Sequence, residues 1–193
     1  MESQSAKKPE HLIGVMLEDG KRHDFDTEDE FDTFIARTEH HEQVREARKA
    51  AKEAKRPTDA EVRDLKAKTG KIDSELKDLA KRHQLEPNSR MLFAKATVER
   101  GDDEPAIFDA TLIFGDPGFL GPAAPVYRDI FSLRDIGFTG GVESLFTDRS
   151  LILYSEEGFN GSQYWVFVPR GGLATISNLG WFNGLAKSLR YQA

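Results

Sequence analysis

The chain has 193 residues, a formal net charge of −6 and no cysteine, so disulfides and Cys-ligated zinc are excluded and there is room for one domain or two small ones. No run approaches the roughly 18 apolar residues of a membrane-spanning helix. Residues 1–100 hold 21 Lys and Arg against 22 Asp and Glu, whereas residues 101–193 hold 6 against 11 and carry 15 of the 19 aromatics.

Residues 1–10 are polar and predict a disordered tail. They lack the apolar core of a secretory signal, so a soluble cytoplasmic protein is expected, a reading that is also compatible with export by another route. Leu12 to Leu17 predicts a strand, Asp19-Gly20 a two-residue hairpin turn, and Lys21 to Phe25 the returning strand. A lone hairpin is marginal in water, so it must lean on something. The nearest candidate is a helix starting after Thr27, whose Glu30 three residues on forms a capping box. Phe31, Phe34 and Ile35 give that helix an apolar stripe facing the hairpin.

The helical pattern continues from Thr38 to Arg56, before Pro57, giving an expected helix over about 27–55. In its second half Arg45, Arg48, Lys49, Lys52, Lys55 and Arg56 outnumber Glu46 and Glu53. Such a face can track phosphates, but no aromatic residue interleaves with the cations, so a solvated face with intrahelical ion pairs is preferred and nucleic acid is not an expected partner. Arg45, Lys49, Lys52 and Arg56 are retained as a candidate protein-partner surface. Thr58 and Glu61 cap a second helix over about 58–84, where Val62, Leu65, Ile72, Leu76 and Leu79 form a narrow seam. Thr69-Gly70 predicts a break in it. The two helices suggest an antiparallel hairpin that projects as an arm or docks on a partner. Met91 to Val98 is strand-like, and Arg100 to Pro105 is a turn or linker closing an α+β region over 11–100.

From 105 to 193 the chain carries a tandem repeat. Phe114-Gly115-Asp116-Pro117-Gly118-Phe119-Leu120-Gly121 and Tyr154-Ser155-Glu156-Glu157-Gly158-Phe159-Asn160-Gly161 both follow an apolar run. Downstream, Phe138 to Leu145 matches Phe182 to Leu189, placing Ser144 opposite Ser188. At ordinary residue frequencies the aromatic-x4-aromatic-x-Gly pattern is expected about 0.1 times in such a chain. Gly121 and Gly161 supply positive φ for a strand that folds back on itself.

This pattern, over roughly residues 106–191, resembles the Greek-key motif of the βγ-crystallin family, in which two motifs make one β-sandwich. The resemblance implies that Ser144 and Ser188 bond to the folded hairpins formed by Phe114, Phe119 and Gly121 and by Tyr154, Phe159 and Gly161. It also raises calcium binding, since many microbial relatives carry Asn/Asp-Asn/Asp-x-x-Ser/Thr-Ser. Here the windows are Thr139 to Ser144 and Asn183 to Ser188, with Gly second in both and Glu143 and Lys187 fifth. Lys repels the ion, which leaves Glu143 as the single weak metal candidate and no cofactor expected. Peptidase inhibition, known among secreted and disulfide-stapled relatives, is the remaining inherited alternative.

An enzyme is not expected. There is no Cys, and His11, His23, His40, His41 and His83 all precede the repeats. Tyr164 to Val168 is apolar at every position, which suits a strand between a core and a second surface. If Tyr164, Trp165 and Phe167 are exposed, they form the best partner patch of the β domain. The expected fold is therefore α+β: a β-hairpin with a helical hairpin, followed by a two-motif Greek-key sandwich. The expected function is non-catalytic, a structural or interaction protein whose helical region meets a partner or a second copy.

Overall fold

The computed structural model describes residues 12–86, 111–169 and 172–192. The expected tail at 1–10, the strand at 91–98 and the turn at 100–105 lie outside the described residues. Among the described residues, nine strands and three α-helices make an α+β arrangement built on two sheets.

The first repeat forms β3 (Thr111–Asp116), β4 (Leu120–Val126) and β5 (Ser144–Thr147). The second forms β6 (Leu151–Glu156), β7 (Asn160–Val166), β8 (Ala174–Ile176) and β9 (Ser188–Tyr191). Each repeat lends one segment to the other's sheet. β8 joins β5 in the sheet β4-β3-β5-β8, and Ile130 bridges Leu189 at the β9 edge of the other sheet. This exchange closes the Greek keys and interlocks the motifs around a shared core. That core includes Ile113, Val126, Leu145, Leu153, Val166 and Leu189, all fully buried.

The hairpin β1 (Ile13–Met16) and β2 (Arg22–Phe25) has the support it needs. β1 pairs in parallel with β7, Gly14 opposite Tyr164 and Val15 opposite Trp165, so one sheet runs β2-β1-β7-β6-β9. The approach is close at Gly14, where a Cβ would stand 2.6 Å from Tyr164 Cδ2.

Helices cover the outer faces of both sheets, which is why the strands are apolar on both sides. α1 (Glu28–Ile35) and α2 (His41–Glu53) bring Phe31, Ile35, Val44 and Ala47 onto Ile152, Tyr154, Trp165 and Phe167. α3 (Asp59–His83) lays Leu76, Leu79 and Ala80 on Leu112, Phe114 and Phe146 of the other sheet, and its Leu65 reaches the central core.

Two helical expectations are corrected. The helix expected over 27–55 is split, because the Thr38 hydroxyl donates to the Ile35 carbonyl (2.9 Å) and accepts from His40 N (3.3 Å), offering the backbone an alternative to the next helical turn. The break expected at Thr69-Gly70 is absent, and α3 runs through both. Thr69 is buried along with Leu65, Leu76, Leu79 and Ala80 of the same helix. Burial of that face outweighs the ~1 kcal/mol that a helical Gly costs. The helices also do not form a projecting arm. α2 and α3 pack on opposite sheets of the sandwich.

Candidate functional site

The two bends are built alike. Phe119 and Phe159 take positive φ (65° and 63°), with Gly121 at 72° and Gly161 at 80°. The Ser144 hydroxyl accepts from Phe119 N (3.0 Å) and donates to the Asp116 carbonyl (2.7 Å). The Ser188 hydroxyl accepts from Phe159 N (3.1 Å) and donates to the Glu156 carbonyl (2.6 Å). Both serines are fully buried. Phe114 meets Phe119 edge-on at 5.7 Å, and Tyr154 meets Phe159 at the same separation.

Two folded hairpins, each pinned by a serine from its own last strand, together with the exchanged third segments, define the architecture. Residues 111–191 have the βγ-crystallin fold. No family model matches the sequence and no curated protein matches it. Solved structures similar to it include a β/γ crystallin from Ciona intestinalis, at 23% identity over 43% of this chain and 99% of that one, with a TM-score of 0.37. Spherulin 3a from Physarum polycephalum is 15% identical over 49% of this chain and 91% of its own, with a TM-score of 0.35. IPSE/alpha-1 from Schistosoma mansoni eggs is 16% identical over 42% and 82%, with a TM-score of 0.31.

The crystallin windows that hold calcium in some family members have the wrong donors here. Glu143 donates its amide to the Phe114 carbonyl, and its own carbonyl accepts from Leu179 N (both 2.9 Å). Lys187 is held likewise, its amide on the Tyr154 carbonyl and its carbonyl accepting from Leu133 N (both 2.8 Å). The windows meet where Gly184 N donates to the Val142 carbonyl at 3.1 Å. Their backbone is engaged in closing the sandwich, and the side chains offer the Glu143 carboxylate, the Asn183 amide and hydroxyls against the Lys187 ammonium. Among the described residues no group of three His, Cys, Asp or Glu could hold an ion. The ammonium of the second window and the single carboxylate of the first do not match Ca²⁺, which takes six to eight oxygens.

Tyr164, Trp165 and Phe167 form no exposed patch, being 0%, 0% and 1% accessible. Tyr164 faces the central core, and the other two lie under the helices. Phe31 stacks on Trp165 at 5.5 Å and His40 on Phe167 at 4.0 Å. The surface that an isolated sandwich would offer a partner is occupied by the chain's own first two helices. His23 is also used in packing, 4.7 Å from Phe34.

One exposed surface of distinct, basic character among the described residues is on α2. Arg45, Lys49 and Lys52 line one hollow of about 460 Å³ with Asp32, Ile35, Val44 and Arg48. Arg45 is engaged by Glu42 (2.6 Å) and Glu46 (3.6 Å). Lys49 and Lys52 are exposed and have no ion-pair partner among the described residues. Arg56 is elsewhere. It lies beyond the end of α2 near Asp135, whose carboxyl is pushed up by burial while the Arg56 charge pulls it the other way.

Arg48, counted in the basic run but not among the four residues retained for the partner surface, also lines this hollow. Its guanidinium bonds Asp32 of α1 at 2.6 Å and lies 5.0 Å over the Phe31 ring. The partners are 16 residues apart, across a helix break set by a Thr side chain.

Proposed function

We propose that this protein is a non-catalytic interaction module in which a βγ-crystallin-type sandwich serves as a rigid platform and the outward face of α2 is the contact surface. The observation that carries this reading is the use of apolar surface. The helices spend their large side chains on the sandwich's outer faces, and Lys49 and Lys52 remain as exposed cations beside an open hollow. Two exposed, unopposed ammonium groups steer and orient a partner that supplies opposite charge.

The test is a photoreactive side chain in place of Lys49 and, as control, in place of exposed Lys66 on α3, each in the full chain and irradiated in extract of the cells that make it. A discrete crosslinked protein at position 49 and absent at 66 is expected. Equal patterns at both positions, or no product at 49, would refute the assignment.

A further inference from the structure

The surface on α2 does not end at the helix. A second hollow, of about 290 Å³, is walled by Tyr154, Phe159, Asn160, Gly161 and Gln163, and Arg48 and Lys52 line it as well as the first. The two hollows therefore adjoin, making one groove from the α1–α2 crevice to the folded hairpin of the second motif. Resting on the interaction reading above, we infer that this groove binds an extended acidic peptide segment of a partner protein, with carboxylates on the cations and apolar side chains on the floor.

Two observations favour that occupant. The unpaired charge lining the groove is mainly positive: Arg48 is bound to Asp32 and Arg45 to Glu42 and Glu46, which leaves Lys49 and Lys52 against Glu28. The first hollow exposes more apolar than polar surface, from the edges of Ile35 and Val44 and the aliphatic stems of its Arg and Lys side chains. A nucleic acid would find the phosphate-binding charge but no platform for its bases, since the aromatic residues of the groove, Tyr154 and Phe159, are buried at 2% and 8%.

The experiment uses the full chain and fluorescence anisotropy with three labelled probes: a 12-residue peptide alternating Glu or Asp with Leu, the same peptide with Gln and Asn for the acids, and a 12-nucleotide oligothymidylate. The acidic peptide is expected to bind and to weaken with salt, with the other two binding at least about tenfold more weakly. Lys49→Gln with Lys52→Gln should reduce its affinity about tenfold or more. Asn160→Glu, which puts a carboxylate at the hairpin end, should reduce it about fivefold. Both sites are exposed, and unchanged circular dichroism confirms the fold of each variant.

No binding of the acidic peptide, an unaffected lysine double variant, or oligothymidylate binding equally well would each overturn the inference. So would concentration-dependent self-association abolished by the same double variant, which would assign the groove to a second copy. A discrete crosslink at position 49 without peptide binding would remove this inference alone. Absence of both would remove the interaction reading too.

Discussion

Ser144 and Ser188 show what single residues contribute. Each hydroxyl satisfies one donor and one acceptor of a bend whose backbone is otherwise strained by a Phe at positive φ. Replacing either by Ala removes the partner of two part-buried or buried backbone groups, at about 1–3 kcal/mol. The expected result is a clear fall in urea midpoint for each variant, and an unchanged midpoint would show that the bends hold without their pins. The tyrosines set the response to alkali. Burial pushes the Tyr164 phenol up to about 12, against Arg22 pulling it down, and it raises Tyr154 and Tyr191 as well. In the unfolded chain these groups ionise near 10, so the stability they lend is present below pH 10 and lost as pH rises through 12. From Tyr164 alone this is on the order of 3 kcal/mol, at ~1.4 kcal/mol per pH unit. Urea midpoints measured between pH 9 and 12 should fall, and Tyr164→Phe should flatten that slope. A parallel slope in the variant would locate the titration elsewhere.

At the level of elements, the helices behave as lids on the sheets. Phe31 of α1 is completely buried, stacks on Trp165 and meets Phe25 edge-on at 5.8 Å. Phe31→Ala should cost about 3–5 kcal/mol and shift tryptophan emission to the red as water reaches the Trp165 ring. Unshifted emission would mean that α1 does not shield it. The starts of α1 and α3 were legible because their signals are local, whereas α2 begins without a side-chain cap. Thr58 and Glu61 form the capping box their spacing predicts. Thr27 caps Glu30 N, while the Glu30 carboxylate reaches one residue further, to Asp26 N. The end of α1 and the continuity of α3 were not legible. The first turns on a Thr hydroxyl choosing a backbone partner, the second on a buried face that overrides the cost of Gly70.

The whole molecule is tied together by a parallel β1–β7 pairing across some 150 residues of sequence. Trp181 Nε1 donates to Asp24 Oδ1 at 2.9 Å, a second tie between the hairpin and the second motif. A Cβ at position 14 would press on the Tyr164 ring, so Gly14→Ala should destabilise the entire protein by about 1–3 kcal/mol. Tryptophan fluorescence and helical circular dichroism should then report one coincident unfolding transition, in the variant and the parent alike. Two separated transitions would show the N-terminal elements unfolding independently of the sandwich.

The family resemblance implied the serine pins, and the amino-acid sequence alone determined the two bends and the starts of α1 and α3, since each is written in residues that touch along a few positions or recur in a repeat. It also held a sign of covered outer faces in runs such as Tyr164 to Val168 that never alternate. Only the tertiary structure decided what covers them. An apolar strand face specifies that it must be buried but not by which element, because burial is non-directional. Chain connectivity and packing placed α1 and α2 over Trp165 and Phe167, and in doing so left the lysines of α2 outward beside the second motif's hairpin.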